Sequence, residues 1–217
     1  MKPILFNTEM VRALLEGRKT VTRRVMKPQP KGDGSTPEPL STRPGYWNAW
    51  GDDCVYRQPY LPGDILWVRE TWQFIPCIDC RLDENGRCND LPVTYDDGDS
   101  IGEGCFVYRE DYPETGRISW RPSIHMPREA ARIFLRVTEV RVERLQKANY
   151  FDALREGVPY RQMEVDILKD FSCLWDKCIK ISDIGSYGWE ANPWVWVIEF
   201  ERVEAGEDGK ADSSQNR

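Results

Sequence analysis

The sequence predicts an α+β fold in which a small, curved β-barrel carries flanking helices. Three observations lead there. Trp194, Trp196, Ile198 and Phe200 alternate with Val195, Val197, Glu199 and Glu201, a strand apolar on one face and passing from buried to wet on the other. Ile133, Leu135 and Val137 alternate in one phase and Val140 and Val142 in the opposite one. That switch implies a bulge or bend near Thr138 and Glu139, which suits a strand serving two sides of a barrel wall. Elsewhere apolar residues recur at helical intervals.

Taken in order, Asn7 or Thr8 can cap a short helix carrying Met10, Val11, Leu14 and Leu15. Gly17 suits the left-handed residue that ends it. The β-branched Thr20, Val21 and Thr22 then favour extended chain. From Lys27 to Gly45, prolines and glycines with almost no apolar residues predict a loop. After the Pro62-Gly63 turn, Asp64 to Trp72 reads as one strand with Leu66, Val68 and Trp72 on one face. Residues from about 73 to 119 read as a polar, cysteine-containing insertion, and the core resumes at Trp120. A short capped helix starts at Asn149, carries Phe151, Asp152, Leu154 and Glu156, and ends at Gly157. A longer one follows with Ile167, Phe171, Leu174 and Cys178 at helical spacing.

At 217 residues the chain can bury one good core. The economical organisation is a single domain over 1–203, with insertions at about 27–61 and 73–119 and a disordered tail over 204–217 that lacks apolar content. No apolar run is long enough to span a membrane, and MKPILFNTEM lacks a signal-peptide pattern, so the expected location is cytoplasmic. With 30 basic against 36 acidic residues, charge-driven binding of duplex DNA is not expected. A local basic site on a negative protein can still attract a nucleotide.

Such a site is suggested by GRKTVTRR at Gly17 to Arg24, which sets Arg18, Lys19, Arg23 and Arg24 and two threonines just after a helix end. With ILFNTEMVRALLEGRKTVTRR, the blocks PGDILWVRETW at 62 to 72, WRPSIHMPREAARIFLRVTEV at 120 to 140, FDALREGV at 151 to 158 and NPWVWVIEFERV at 192 to 203 resemble the ASCH-domain proteins. The resemblance is nearest to the larger forms found in phages and prophages. It implies a PUA-like β-barrel and recognition of RNA or a nucleoside. Small bacterial members of that family include an amidohydrolase that removes the acetyl group from acetylcytidine. Carried onto this chain, its catalytic pattern implies Thr22 as nucleophile, Lys19 as base and Glu156 as acid or orienting group, with Glu156 assigned through ALREG.

Elementary geometry constrains that site. In a regular strand positions 19 and 22 face opposite ways, so Lys19 and Thr22 cooperate only if the strand begins after Lys19 or is irregular. The bland alternatives are a strand threonine, a surface lysine and a solvated glutamate. Arg18, Arg23 and Arg24 are candidate substrate contacts, with Arg23 or Arg24 at the rim of a cleft shared by Lys19, Thr22 and Glu156. His125, the single histidine, fits a structural or substrate-positioning role. Of the nine tryptophans, Trp72 and Trp120 flank the insertion and are the candidates for stacking on a base.

Seven cysteines without a secretion signal point to reduced thiols or metal ligation. Cys77 and Cys80 form CxxC, with Cys88 and Cys105 further on, and four thiolates would let a structural zinc organise a segment lacking a core. Incidental thiols are the alternative. Cys54 is a replacement ligand, while Cys173 and Cys178 are expected to pack on the long helix. The proposed chemistry itself needs no cofactor.

Two function classes follow. One is an enzyme hydrolysing an acyl-amide on a cytosine-type nucleoside or RNA base, favoured by the Lys-Thr-Glu set. The other is a non-catalytic module binding RNA or a modified nucleotide, favoured by the large insertions. A phage protein-interaction factor using the cysteine insertion is a third, weaker class. Oligomeric state is not legible.

Overall fold

A computed structural model describes residues 1–31, 34–77, 93–96, 101–112 and 118–204. In chain order its elements are β1 (Lys2–Leu5), α1 (Thr8–Leu15), β2 (Val21–Val25), β3 (Glu38–Pro39), β4 (Tyr46–Asn48) and β5 (Val55–Arg57). Then come β6 (Ile65–Arg69), β7 (Trp72–Pro76), β8 (Val93–Asp96), β9 (Ile101–Tyr108) and β10 (Phe134–Arg144). The chain continues through α2 (Tyr150–Arg155), α3 (Glu164–Lys177), α4 (Ile184–Tyr187) and β11 (Trp194–Val203). The fold is α+β, with several sheets and few helices, and strand pairing traces no closed barrel among the described residues.

The chain forms two compact units. The first comprises residues 1–2, 13–66 and the chain from Ile133 onward; the second comprises 3–12 and 67–132.

In the first unit β11 pairs antiparallel with both β10 and β2. The anticipated bulge is present: the β10–β11 register shifts between Val137 and Glu139, because an extra residue there lets both apolar phases find the interior. Val137 is also tied by backbone bonds to Gly63 and Asp64. On β11 burial is continuous from Trp194 to Ile198 and then gives way to water at Glu201, as the alternation implied. One sheet face carries Val21, Val195 and Val197, which pack with Leu145, Ala153, Val158, Ile167, Phe171 and Trp175 into a core under α2 and α3.

Helix α2 begins with a full capping box. Asn149 accepts from the Asp152 backbone and Asp152 accepts from the Asn149 backbone. It ends at Gly157, whose φ is +97° and whose missing Cβ would lie 2.7 Å from Ala13 Cβ. In α3 the core residues are Ile167, Phe171 and Trp175. Cys173 and Cys178 are exposed rather than packed, since position 173 lies off the face of Ile167 and Phe171 and α3 ends at Lys177, which leaves Cys178 as its C-cap.

The loop expected from Lys27 to Gly45 contains β3, which joins β4 and β5 in a three-stranded sheet. There the Trp47 indole donates to Gln58 and meets Trp196 edge-on.

In the second unit the expected strand from Asp64 to Trp72 proves to be two. β6 ends at Arg69, and Trp72 opens β7 in a sheet of order β7-β9-β8. Trp72 faces Tyr108, and Phe74 faces Phe106. Trp72, Met126 and Ala130 form a core flanked by Phe74, Tyr95, Phe106 and Tyr108. The described part of the 73–119 segment therefore packs its aromatics on a core formed by residues that flank it. Its aromatics are too widely spaced in sequence to register as a periodic run. Glu70 is buried and held bidentately by Arg132 at 2.9 Å; burial raises its pKa, with Arg132 opposing and Asp111 and Glu110 reinforcing. The expected tail lies outside the described residues beyond Glu204. No helix among the described residues is long and apolar enough to cross a membrane.

Gly157→Ala should lower the denaturant midpoint of the chain. Left-handed backbone costs a Cβ-bearing residue about 1–2 kcal/mol, and the approach to Ala13 adds to it. An unchanged midpoint would show that this turn tolerates a side chain.

Candidate functional site: a buried Lys-Glu-Arg cluster

Gly17, at φ +72°, ends α1 and turns the chain so that the Arg18 and Lys19 amides both donate to Ala13 O. The Thr20 amide donates to Arg155 O, which ties this turn to α2. β2 starts only at Val21, so Lys19 lies outside the strand's alternation and its side chain is free to follow the turn.

Lys19 is 2 % exposed and Glu156 5 %. Although 137 positions apart, they meet in an ion pair of 2.8 Å. Lys19 Nζ also donates to Glu156 O at 2.8 Å and to Val21 O at 2.9 Å. Its three ammonium protons are thus matched to three oxygens, none of them the Thr22 hydroxyl. Burial pulls the Lys19 pKa below its ordinary value; Glu156 offsets part of this, while Arg24 and Arg23 add to it.

The second Glu156 oxygen accepts from Arg23 at 3.3 Å. The Arg23 side chain is wholly buried, so the expected place at a cleft rim is corrected. Position 23 shares the face of Val21 and Val197 that α2 and α3 cover. Arg23 also meets Glu143 at 2.7 Å and Asp152 at 3.5 Å. Burial works against its charge, yet Glu156, Glu143 and Asp152 together raise its pKa. Outward from Arg23, Arg141 lies 3.6 Å from Glu143 and also pairs with Glu199. Arg155 pairs with Glu199 at 2.6 Å and donates to Thr20 Oγ1. Arg141 reaches the exposed Glu139 as well, at 3.9 Å, so among the described residues four cations and five carboxylates join in one network.

Thr22 pairs with Ile198 and shares its face, opposite Val21 and Arg23. The structure brings Lys19 and Glu156 together and adds Arg23, while Thr22 stands on the other face. Arg24 is half-buried on the Thr22 side, where its charge reaches Tyr60. Arg18 is exposed and donates to Gly157 O at 2.7 Å.

Trp72, Trp120 and His125 belong to the second unit. Trp72 is fully buried in its aromatic core, which corrects the expectation that its face stacks on a base. Trp120 is half-buried beneath the Arg109 guanidinium, and His125 is exposed on a short turn. Cys80 and Cys88 lie outside the described residues. Cys105 is buried in β9 and Cys77 follows β7 directly; among the described residues no cluster of three or more metal-binding side chains forms. Cys54 is exposed.

Asp152, Glu143, Arg141, Arg155 and Glu199 were not singled out from the sequence. Strand parity carries a signal for two of them, Arg141 and Glu143. Arg23, Arg141 and Val197 lie in register across three strands, and Glu143 opposes Val195, so the charges sit on a face whose other members are core valines. Compared with known proteins, the chain matches no family model, no curated protein and no solved structure significantly.

Removing one partner of a buried ion pair strands the other charge, which costs about 3–5 kcal/mol. Lys19→Met should therefore lose stability of that order in urea unfolding, and Lys19→Met with Glu156→Leu should recover most of it. If Lys19→Met unfolds at the wild-type midpoint, the pair contributes nothing.

Glu199 gives a pH dependence of known sign. The Arg155 hydrogen bond, foremost, holds its pKa below the ordinary value, with Arg141 assisting against burial. Unfolded chain then binds more protons than folded chain near pH 4.5 and below. The contribution is complete above that pH and is lost as pH falls through the lower folded value. Glu199→Gln should flatten the acid limb of a melting-temperature profile below pH about 5.

Proposed function

We propose that this chain is an ASCH-type recognition module, with a PUA-like sheet, for an acylated cytosine-type nucleoside or RNA base. The observation that supports the reading is the 2.8 Å meeting of Lys19 with Glu156. The resemblance singles out both residues, and nothing in their sequence separation requires them to touch. Ionisable groups buried together are concentrated at functional sites. Arg18 and Arg24 are the motif cations with solvent access and are assigned to ligand contact; Arg23 is assigned to the scaffold. In the same reading Cys77 and Cys105, with Cys80 and Cys88, would hold a structural zinc in the second unit.

Amide hydrolysis is the second reading, favoured by the burial that lowers the Lys19 pKa at a lysine which the resemblance names as base. In it the Thr22 hydroxyl gives its proton to a neutral Lys19 amine and attacks the acyl carbon, the C–N bond to the base breaks as its nitrogen takes that proton, and water then frees acetate from Thr22. For this, Lys19 must exchange one of its three oxygen partners for a hydroxyl that stands on the opposite face of β2. Recognition without hydrolysis needs no such exchange, and for that reason it is placed first.

Calorimetric titration with acetylcytidine and with a short single-stranded RNA, run beside an acetate-release assay, separates the readings. Binding without acetate establishes the module. Acetate release that Thr22→Ala abolishes, with affinity kept within a few-fold, establishes the enzyme. Lys19→Arg keeps the charge but cannot serve as base, so it should spare binding and end hydrolysis. Arg24→Ala should weaken binding about tenfold or more, the loss expected of one charge-assisted hydrogen bond. Failure of both ligands to bind overturns the proposal.

A further inference from the structure

We propose that Arg23 is the positioning residue of this site: its guanidinium bridges Glu156 to Glu143 and Asp152 and so sets where the Glu156 carboxylate meets Lys19. The geometry is specific to a planar, forked cation. Nη1 reaches Glu156 Oε1 at 3.3 Å, Nε and Nη2 both reach Glu143 Oε1, at 3.1 and 2.7 Å, and Nη2 lies 3.5 Å from Asp152 Oδ1. An ammonium on a flexible stem cannot span a β10 carboxylate and the end of α2 at once. The guanidinium also lies 5.8 Å from the centre of the Phe171 ring, which closes its remaining side.

The arrangement leaves Glu156 little freedom. One oxygen is held by Lys19 and the other by Arg23, while the Glu156 carbonyl accepts from Lys19. Glu143 is anchored in turn by Arg141, and Asp152 by its capping bond to Asn149. Arg23 thus couples the carboxylate of the site to a strand and to a helix N-terminus, both rigid, without touching a ligand. The charged groups facing it are Asp152 and Arg155 from α2, Glu156 at the C-cap of that helix, Glu143 from β10 and, before β2, Lys19.

The consequence for a ligand rests on the recognition reading above, whereas the clamp itself does not, and two measurements keep them apart. The first is the deprotonation midpoint of the Lys19 ammonium, followed by nitrogen-15 NMR of its side chain. Glu156 raises it against burial, so Arg23→Lys, which keeps the cation and frees the Glu156 carboxylate, should lower the midpoint below wild type. The second is affinity for acetylcytidine. Arg23→Lys, which keeps the charge and loses the bridge, should weaken it about tenfold. Glu143→Gln, which frees the outer anchor and leaves Arg23 in place, should weaken it in the same direction by less.

An unmoved Lys19 midpoint in Arg23→Lys overturns the clamp. So does wild-type affinity in Arg23→Lys, because position would then not depend on the fork. Should the wild type bind no acetylcytidine, the Lys19 midpoint alone decides: a lowered value in Arg23→Lys upholds the clamp while the recognition reading falls. If Arg23→Lys does not fold, Glu143→Gln carries the decision through the same two measurements.

Discussion

The buried contact between Lys19 and Glu156 is the constraint around which the first unit is arranged. An ammonium taken out of water loses several kcal/mol of hydration unless every proton finds an acceptor. Here the acceptors come from two places, the first residue of β2 and the end of α2. The turn after α1, the start of β2 and the capped helix α2 must therefore all be formed before the lysine can be buried. Gly157 serves this demand directly, since it reverses the chain beside the Lys19 stem, where a side chain would be crowded by Ala13.

Around that contact the protein spends buried charge on specificity of position. Arg23, Glu143, Asp152, Arg141, Glu199 and Arg155 extend the pair across β10, β11, β2 and α2. Apolar side chains at these positions would pack as stably or more so. They would not distinguish one rotation of α2 over the sheet from another, whereas a fork matched to three carboxylates does. The core valines Val21, Val195 and Val197 lie on the same face and supply the low-dielectric surroundings that make a mismatch expensive.

The second unit is organised on different physics. Its centre is aromatic: Trp72, Phe74, Tyr95 and Phe106 meet at centroid distances of 5.1 to 6.0 Å. Gly104 belongs to this arrangement, because a Cβ there would strike both the Ile75 carbonyl and the Phe74 ring. Its buried carboxylate, Glu70, is closed by the bidentate fork of Arg132, which also pairs with Asp111 at 2.7 Å.

By itself the sequence determined what is local or periodic. The α1 cap and its glycine stop, the α2 capping box, the bulge near Thr138 and the drying-to-wet change along β11 were all legible, because each depends on neighbours within a few residues or on a period of two or 3.6. The sequence motifs singled out Lys19, Thr22 and Glu156, but not that Arg23 would join the lysine and the glutamate and that Thr22 would not. Tertiary structure decided that through strand parity: starting β2 at Val21 puts Arg23 with Val21 under the helices and sends Thr22 to the opposite face with Ile198. It likewise decided that the segment after Trp72 joins a core with Trp72, Met126 and Ala130, because rings far apart in the chain become a cluster only when β7, β8 and β9 pair. Which face a residue takes depends on where a strand begins, and that is set by contacts over a hundred positions away, such as Thr20 with Arg155.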